Sequence, residues 1–215
     1  MTTTNSDAIK EAIMLASLAH FPFDGWGEAA LARGADDAGY DGATARRLFP
    51  GGAVEMIAFH SHYADRRMLE ELGGLDLDAM KIRDRITLAV RVRLQQNAMH
   101  REAVRRAMAR LALPRNAMLA TRLLYRTVDA MWHAAGDTAT DHNFYTKRAL
   151  LAGVYASTVM CWLNDNSQDL EVTWAFLDRR IAEVMRVPKA MAGIGRMLGN
   201  LPNPSRFFRI PGAPT

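Results

Sequence analysis

The side chains that could do chemistry are few and widely spaced. Asp129 and His133 stand four residues apart, so a helix would present both on one face; His142 follows, and His60 and His62 lie far upstream. Metal or acid–base chemistry needs a denser set. A di-iron bundle shows Glu-x-x-His pairs on two helices and a zinc site shows Cys and His at short fixed spacings, and neither pattern nor HExxH occurs. Cys161 is the single cysteine and falls in an apolar stretch, so it reads as a buried, inert thiol and no disulfide framework exists. There is no P-loop, no GxGxxG after a strand and no GxSxG elbow, and no serine has a nucleophile's surroundings. No metal and no cofactor is expected. The residues make no positive case for an enzyme, and one built on Asp129, His133 and His142 remains only a third reading.

The elements that would position these residues are helical. Leu124, Val128, Met131, Trp132 and Ala135 recur at helical spacing, and Gly136 supplies the left-handed residue that ends a helix. After a polar turn, with Asp141 or Asn143 as cap, a second helix runs from Phe144 to Leu163. Its apolar residues Leu150, Leu151, Val154, Tyr155, Val159, Trp162 and Leu163 cover more than one face, so other helices must enclose it. Upstream, the spacing predicts helices over 6–20 with Ser6 as cap, 28–38, 43–48, 53–72, 79–94 and along the Met99, Ala103, Ala107, Leu111 repeat; Phe21 to Gly27 reads as a loop. In the 79–94 helix Ile82, Ile86 and Ala89 face one way, while Lys81, Arg83, Arg85, Arg91 and Arg93 crowd the rest. A further helix covers 169–187. No strand alternation, repeat or low-complexity tract appears, so the fold class is all-α, with about nine or ten helices. The parts are a helix-turn-helix-like segment over 1–52, a larger bundle over 53–188 and a basic amphipathic segment over 189–215.

With 215 residues, 49% of them hydrophobic, the chain has ample material for a core. Its N-terminus has neither the basic-then-apolar look of a signal peptide nor that of a transit sequence, and no uncharged apolar run reaches the ~20 residues a membrane span needs. A cytoplasmic protein with peripheral membrane contact is the expectation. The net charge of +4 is unevenly spread. Residues 1–80 hold 6 basic against 13 acidic residues, 81–126 hold 12 against 2, 127–185 hold 4 against 8, and 186–215 hold 5 against none.

The three short N-terminal helices followed by LFPGG resemble the DNA-binding module of TetR-type transcription regulators. That resemblance implies a regulator with an apolar effector pocket, which is the alternative reading. Phosphate binding calls for dense Lys and Arg, however, and this part is acidic: Asp36, Asp37 and Asp41 flank a recognition helix that offers only Arg46 and Arg47. No nucleic acid is expected as a partner. The tail has the opposite character. Met191, Ile194, Leu198 and Leu201 share one helical face, Met197 and Arg196 flank it, and Arg-Phe-Phe-Arg with Phe207 and Phe208 follows, a pattern suited to an anionic membrane surface. In the central helices, Leu124, Val128, Trp132, Leu151, Val154, Tyr155, Val159 and Trp162 form pocket or core, and periodicity does not separate the two. Thirteen methionines favour a repackable lining slightly.

The stretch VDAMWHAAGDTATDHNFYTKRALLAGVY, with the WLND turn and TWAFLDRRI after it, resembles the coenzyme Q nine family of ubiquinone-biosynthesis accessory proteins, and LFPGGAVE fits as well. The resemblance runs over most of residues 10–188. It implies a TetR-like fold that does not read DNA, a pocket for isoprenoid quinone intermediates and a membrane-binding C-terminal helix. It also implies a partner enzyme, the demethoxyubiquinone hydroxylase, which such a protein supports without catalysing the step. By the same resemblance the partner surface falls on Asp137, Asp141, Asn143, Phe144, Tyr145, Lys147 and Arg148. Phe144 departs from the family, which usually has tryptophan there, and His142 stands where an apolar aromatic is common. A homodimer through the larger bundle is expected by analogy of fold.

Overall fold

The structure, a computed structural model, describes residues 2–137 and 142–184, including their side chains except those of residues 2–5 and 142–144. Its helices are α1 (Thr2–Ser17), α2 (Phe21–Asp24), α3 (Glu28–Asp37), α4 (Gly42–Leu48), α5 (Gly52–Gly73), α6 (Ile82–Gln95), α7 (Arg101–Leu111), α8 (Ala117–Ala134), α9 (His142–Asn164) and α10 (Glu171–Val184). No strand occurs among the described residues, and the all-α expectation holds.

Several boundaries differ from the sequence reading for identifiable reasons. Helix α1 begins at Thr2, which places Ser6 inside the helix instead of at its cap. Phe21 to Asp24 is a short helix and not a loop, because Pro22 sits in its first turn, where a missing N–H is harmless. The turn is fixed by burial: Phe21 stacks on Trp26 with ring centroids 3.8 Å apart, and Trp26 Nε1 donates to the Ala103 carbonyl at 2.8 Å. Helix α6 starts at Ile82, three residues later than its pattern suggested, with Lys81 in the extended conformation before it. Ile82 is exposed, as is Met99, which precedes α7 and leaves Ala103 and Ala107 to carry that helix's packing.

Two apolar cores result, and α5 runs through both. One gathers α1, α2, α3, α4 and the first half of α5 with Ala103, Ala107 and Leu123. Within it, α1 and α3 approach so closely at Gly34 that an added Cβ would lie 2.6 Å from the Ser17 amide nitrogen, so only glycine fits. The other core gathers Met68 and Leu72 of α5 with the inner faces of α6, α8, α9 and α10. Its last corner is tied by Asp165, a buried carboxylate that accepts hydrogen bonds from the amides of Ser167 and Thr173 at 2.8 Å and from both their hydroxyls. Burial alone would raise the pKa of Asp165, but these four bonds outweigh it and hold the carboxyl well below the usual range. Where the two cores adjoin, they do not close completely.

Candidate functional site: a cavity between the two cores

A cavity of about 320 Å³ lies at this seam, walled by α5, α7, α8 and α9 and by the last turn of α6. Small residues contribute to its lining. Ala107, Ala120 and Ala156 extend no further than Cβ and leave room among the longer side chains of Ile57, Leu94, Met108, Leu123, Leu124 and Val159 that share the lining. The lining is mostly apolar, as small-molecule sites are. Its two exposed residues, Ala112 and Thr121, mark the mouth, at the corner where α7 gives way to α8.

Of the expected pocket residues, the structure places Leu124, Tyr155, Val159 and Trp162 in the lining. Val128, Leu151 and Val154 are buried in the adjoining core instead, one helical turn toward the α8–α9 connection. Trp132 packs against the same core, and its Nε1 donates to the Lys147 carbonyl at 3.3 Å. The sequence reading missed the far wall. The Ala103, Ala107, Leu111 repeat marked an apolar face of α7, but nothing in it showed that this face borders a void.

Part of the lining is polar. Arg93, described above as one cation in a crowded helix, is buried there and donates from Nε to Asp65 Oδ1 at 3.0 Å, while Thr127 Oγ1 donates to the same oxygen at 2.9 Å. Asp65 is itself buried, and its Oδ2 has no partner among the described residues. Asn97 Nδ2 donates to the Arg93 carbonyl at 2.9 Å. His60 lines the cavity beside them, edge-on to Trp26 with centroids 5.6 Å apart. Burial, assisted by the positive charges of Arg93 and His100, lowers its pKa to about 3, against a weaker upward pull from Asn97. His60 is therefore a neutral ring at any ordinary pH. Burial also raises the pKa of the Tyr155 phenol, with Arg93 pulling the other way and Asp65 adding to the rise.

At the α8–α9 turn, Gly136 takes φ of +83° and ends α8 as its sequence implied. Behind it, the side chains of Asp137 and Arg148 are buried and joined: Arg148 Nη1 lies 3.4 Å from Asp137 Oδ2, Arg148 Nε lies 2.7 Å from Asp129 Oδ1, and Lys147 Nζ lies 2.9 Å from Asp137 Oδ1. Asp137 and Arg148 thus pin the turn from beneath. Tyr145 is exposed, and Lys147 lies partly over the Trp132 ring with its nitrogen 5.6 Å from the centroid. Of the remaining expected partner residues, Asp141 lies outside the described residues, as do the side chains of Asn143 and Phe144. The tail positions Met191, Ile194, Arg196, Met197, Leu198, Leu201, Phe207 and Phe208 also lie outside them.

Asp129 is engaged by Arg148 and His133 is exposed, and no group of three or more His, Cys, Asp or Glu among the described residues could hold a metal. Cys161 is half-buried instead of enclosed. At the other end of the molecule, α3 and α4 form the expected helix-turn-helix, with Asp41 accepting a 2.6 Å hydrogen bond from the Thr44 amide and Arg46 and Arg47 exposed on α4.

Comparison with known proteins places these features. Residues 117–188 match the COQ9 family model. The chain is 35% identical over 189 residues to the mitochondrial ubiquinone biosynthesis protein COQ9 of Rattus norvegicus, covering 85% of this chain and 61% of that protein. It is 34% identical to the Homo sapiens counterpart over 85% of this chain and 59% of that protein, and 30% identical to that of Drosophila melanogaster over 84% and 56%. The chain therefore spans about three-fifths of the length of these relatives. In structure it is similar to a TetR transcriptional regulator from Nitrosomonas europaea, with a TM-score of 0.67 and 21% identity, covering 83% of this chain and 98% of that one; this is a likeness of fold.

Proposed function

This chain belongs to the COQ9 family, and from that premise we propose that it is a lipid-binding accessory protein of ubiquinone biosynthesis. It takes an isoprenoid quinone intermediate from the membrane into the cavity between α5, α7, α8 and α9 and presents it to a pathway enzyme, the demethoxyubiquinone hydroxylase, without performing the reaction. The observation that carries this reading is the cavity itself: a mostly apolar chamber that also presents a few polar groups suits an amphiphile with a hydrocarbon chain. The surface at the α8–α9 turn, where Tyr145 is exposed over a buried Asp137–Arg148 pair, supplies a rigid platform for the enzyme partner.

The surroundings of the mouth support membrane contact. Leu113 and Met118 are exposed there, and Arg110, Arg115 and Arg122 are exposed and make no ion pair among the described residues. Apolar side chains flanked by unpaired cations fit an anionic bilayer, and the segment over 189–215 adds a second contact of the same kind. No helix of the described residues is long and apolar enough to cross a membrane.

The reading is tested by extraction. Protein incubated with anionic vesicles that contain a long-chain ubiquinone, then separated from them, should carry the quinone away. Each basic residue near such a surface contributes about 1 kcal/mol, so R115Q/R122Q should weaken vesicle binding by on the order of 30-fold and slow extraction accordingly. Vesicle binding unchanged in that variant would remove the mouth from the membrane-facing surface. Failure of the parent protein to extract any quinone would remove the function.

A further inference from the structure

A groove of about 500 Å³ lies between α6 and α10 and shares no lining residue with the cavity. The buried Ile181 and the half-buried Met80 and Leu88 give it an apolar floor, and the more exposed Asp84 and Asp178 stand at its rim. Each carboxylate meets one arginine, Arg83 at 3.3 Å and Arg91 at 3.2 Å, and can accept from a further cation. Arg91, near the end of α6, meets Trp174 and Asp178, while Ile181, further along α10, shares the groove with Met80 and Asp84 at the start of α6. The helices therefore run antiparallel, and α10 ends at Val184 beside the start of α6. Residues 185–215 continue from that point. Within them, 189–201 places Met191, Ile194, Leu198 and Leu201 on one helical face and has Lys189 and Arg196 as its only charges. A segment this short, with glycine at 193, 195 and 199, is a poor helix on its own and needs a surface to fold on.

We propose that, away from a membrane, residues 189–201 fold back as a helix into the α6–α10 groove of their own chain, laying their apolar face on Met80, Leu88 and Ile181 and their cations against Asp84 and Asp178. The length of the chain favours this occupant. Pro188 has no N–H to continue α10, and residues 185–188 span at most about 14 Å when extended, so residue 189 starts beside the groove. A helix of this segment is roughly 20 Å long, and the 14 residues of α6 that flank the groove run roughly 21 Å. The groove and an anionic bilayer then compete for one apolar face. In solution the segment is sheathed; at a bilayer it leaves the groove and turns the same residues to the lipid. The competition rests on the membrane reading of the tail given above, whereas the docking does not.

The test is hydrogen–deuterium exchange of the full chain without lipid, with a synthetic peptide of residues 189–201 as the free reference. In the parent protein the amides of 189–201 should exchange at least about tenfold more slowly than in the peptide. Exchange at the peptide's rate overturns the docking without need of any variant, and protection that grows with protein concentration overturns it in favour of a second copy. Met80→Gln/Leu88→Gln, which removes apolar contact and adds no charge, should bring the segment to the peptide's rate while α6 and α10 keep their protection; Met80→Gln alone, ahead of α6, should do so in part if the double variant loosens those helices. Protection of 189–201 that survives both substitutions overturns the groove as its seat. A segment docked ten to one is free about a tenth of the time, so the double variant should bind phosphatidylglycerol vesicles up to about tenfold more tightly than the parent. Equal vesicle binding by the two overturns the competition. Vesicle binding that persists after deletion of 189–215 removes the tail's membrane role instead, and the docking still stands or falls on exchange alone.

Discussion

Arg93→Met should lower the free energy of unfolding by about 3–5 kcal/mol, a large share of the roughly 5–15 kcal/mol that a domain possesses. Methionine preserves most of the volume, so packing is not the main loss. The variant leaves Asp65 as a buried carboxylate with Thr127 as its remaining hydrogen-bond donor. Asp65→Leu should be harmful for the mirror-image reason, since it strands the guanidinium. The double variant, with neither charge present, should be more stable than the sum of the single losses predicts by at least about 2 kcal/mol, because a buried pair replaced by apolar side chains often restores stability. Denaturant unfolding of the four proteins measures this directly. Additive losses would show that the two side chains do not act as a pair.

The second large effect is a dependence on pH that His60 imposes. Unfolded, the imidazole titrates near 6.5; folded, burial and the charges of Arg93 and His100 hold its pKa near 3. Below pH 6.5 the unfolded chain therefore binds a proton that the folded one refuses. The stabilisation is complete above 6.5 and declines as pH falls toward 3, by about 1.4 kcal/mol per unit. Between pH 6.5 and 5, before most carboxylates titrate, the chain should lose roughly 2 kcal/mol on this account. His60→Gln should start from lower stability, having lost the ring's contact with Trp26, but its profile over that interval should be flatter by the same amount. Parallel profiles for the two proteins would mean that His60 is protonated in the folded state and that the inner lining is wetter than its burial indicates.

Both effects come from residues whose importance the sequence concealed, and the reason is general. Arg93 stands among Lys81, Arg83, Arg85 and Arg91, and a helix rich in cations reads as a solvated surface; only the opposing Asp65, 28 positions away on α5, makes one of them an interior group. The elements themselves were easier to read. Gly136 with its left-handed conformation, the break between the 28–38 and 43–48 helices and the alanine repeat of α7 are local signals, and the helices they mark lie within a few residues of their expected places. Where local signals misled, tertiary burial decided the outcome: Phe21 and Trp26 draw a Pro-containing segment into a helical turn, and Met99 is left outside a pattern it had fitted.

The site was half legible. Leu124, Tyr155, Val159 and Trp162 line the cavity while Val128, Leu151 and Val154, on the same two helices and of the same character, fill the core beside it. An apolar residue at helical spacing obeys the same periodicity whether it meets another side chain or an empty space. Alanines at 107, 120 and 156, on three different helices, line the void, a coincidence in space with no counterpart in linear spacing. At the α8–α9 turn the family resemblance grouped residues that the structure separates by role, with Asp137 and Arg148 beneath the surface and Tyr145 upon it.

The central claim is that the cavity holds an isoprenoid quinone, and the most direct measurement is mass spectrometry of lipids released from protein purified without detergent. The native protein should release a quinone or isoprenoid phenol in near-stoichiometric yield, and a sample denatured and stripped before the final purification step should release none. An empty native protein, or one carrying only charged phospholipid, would contradict the account.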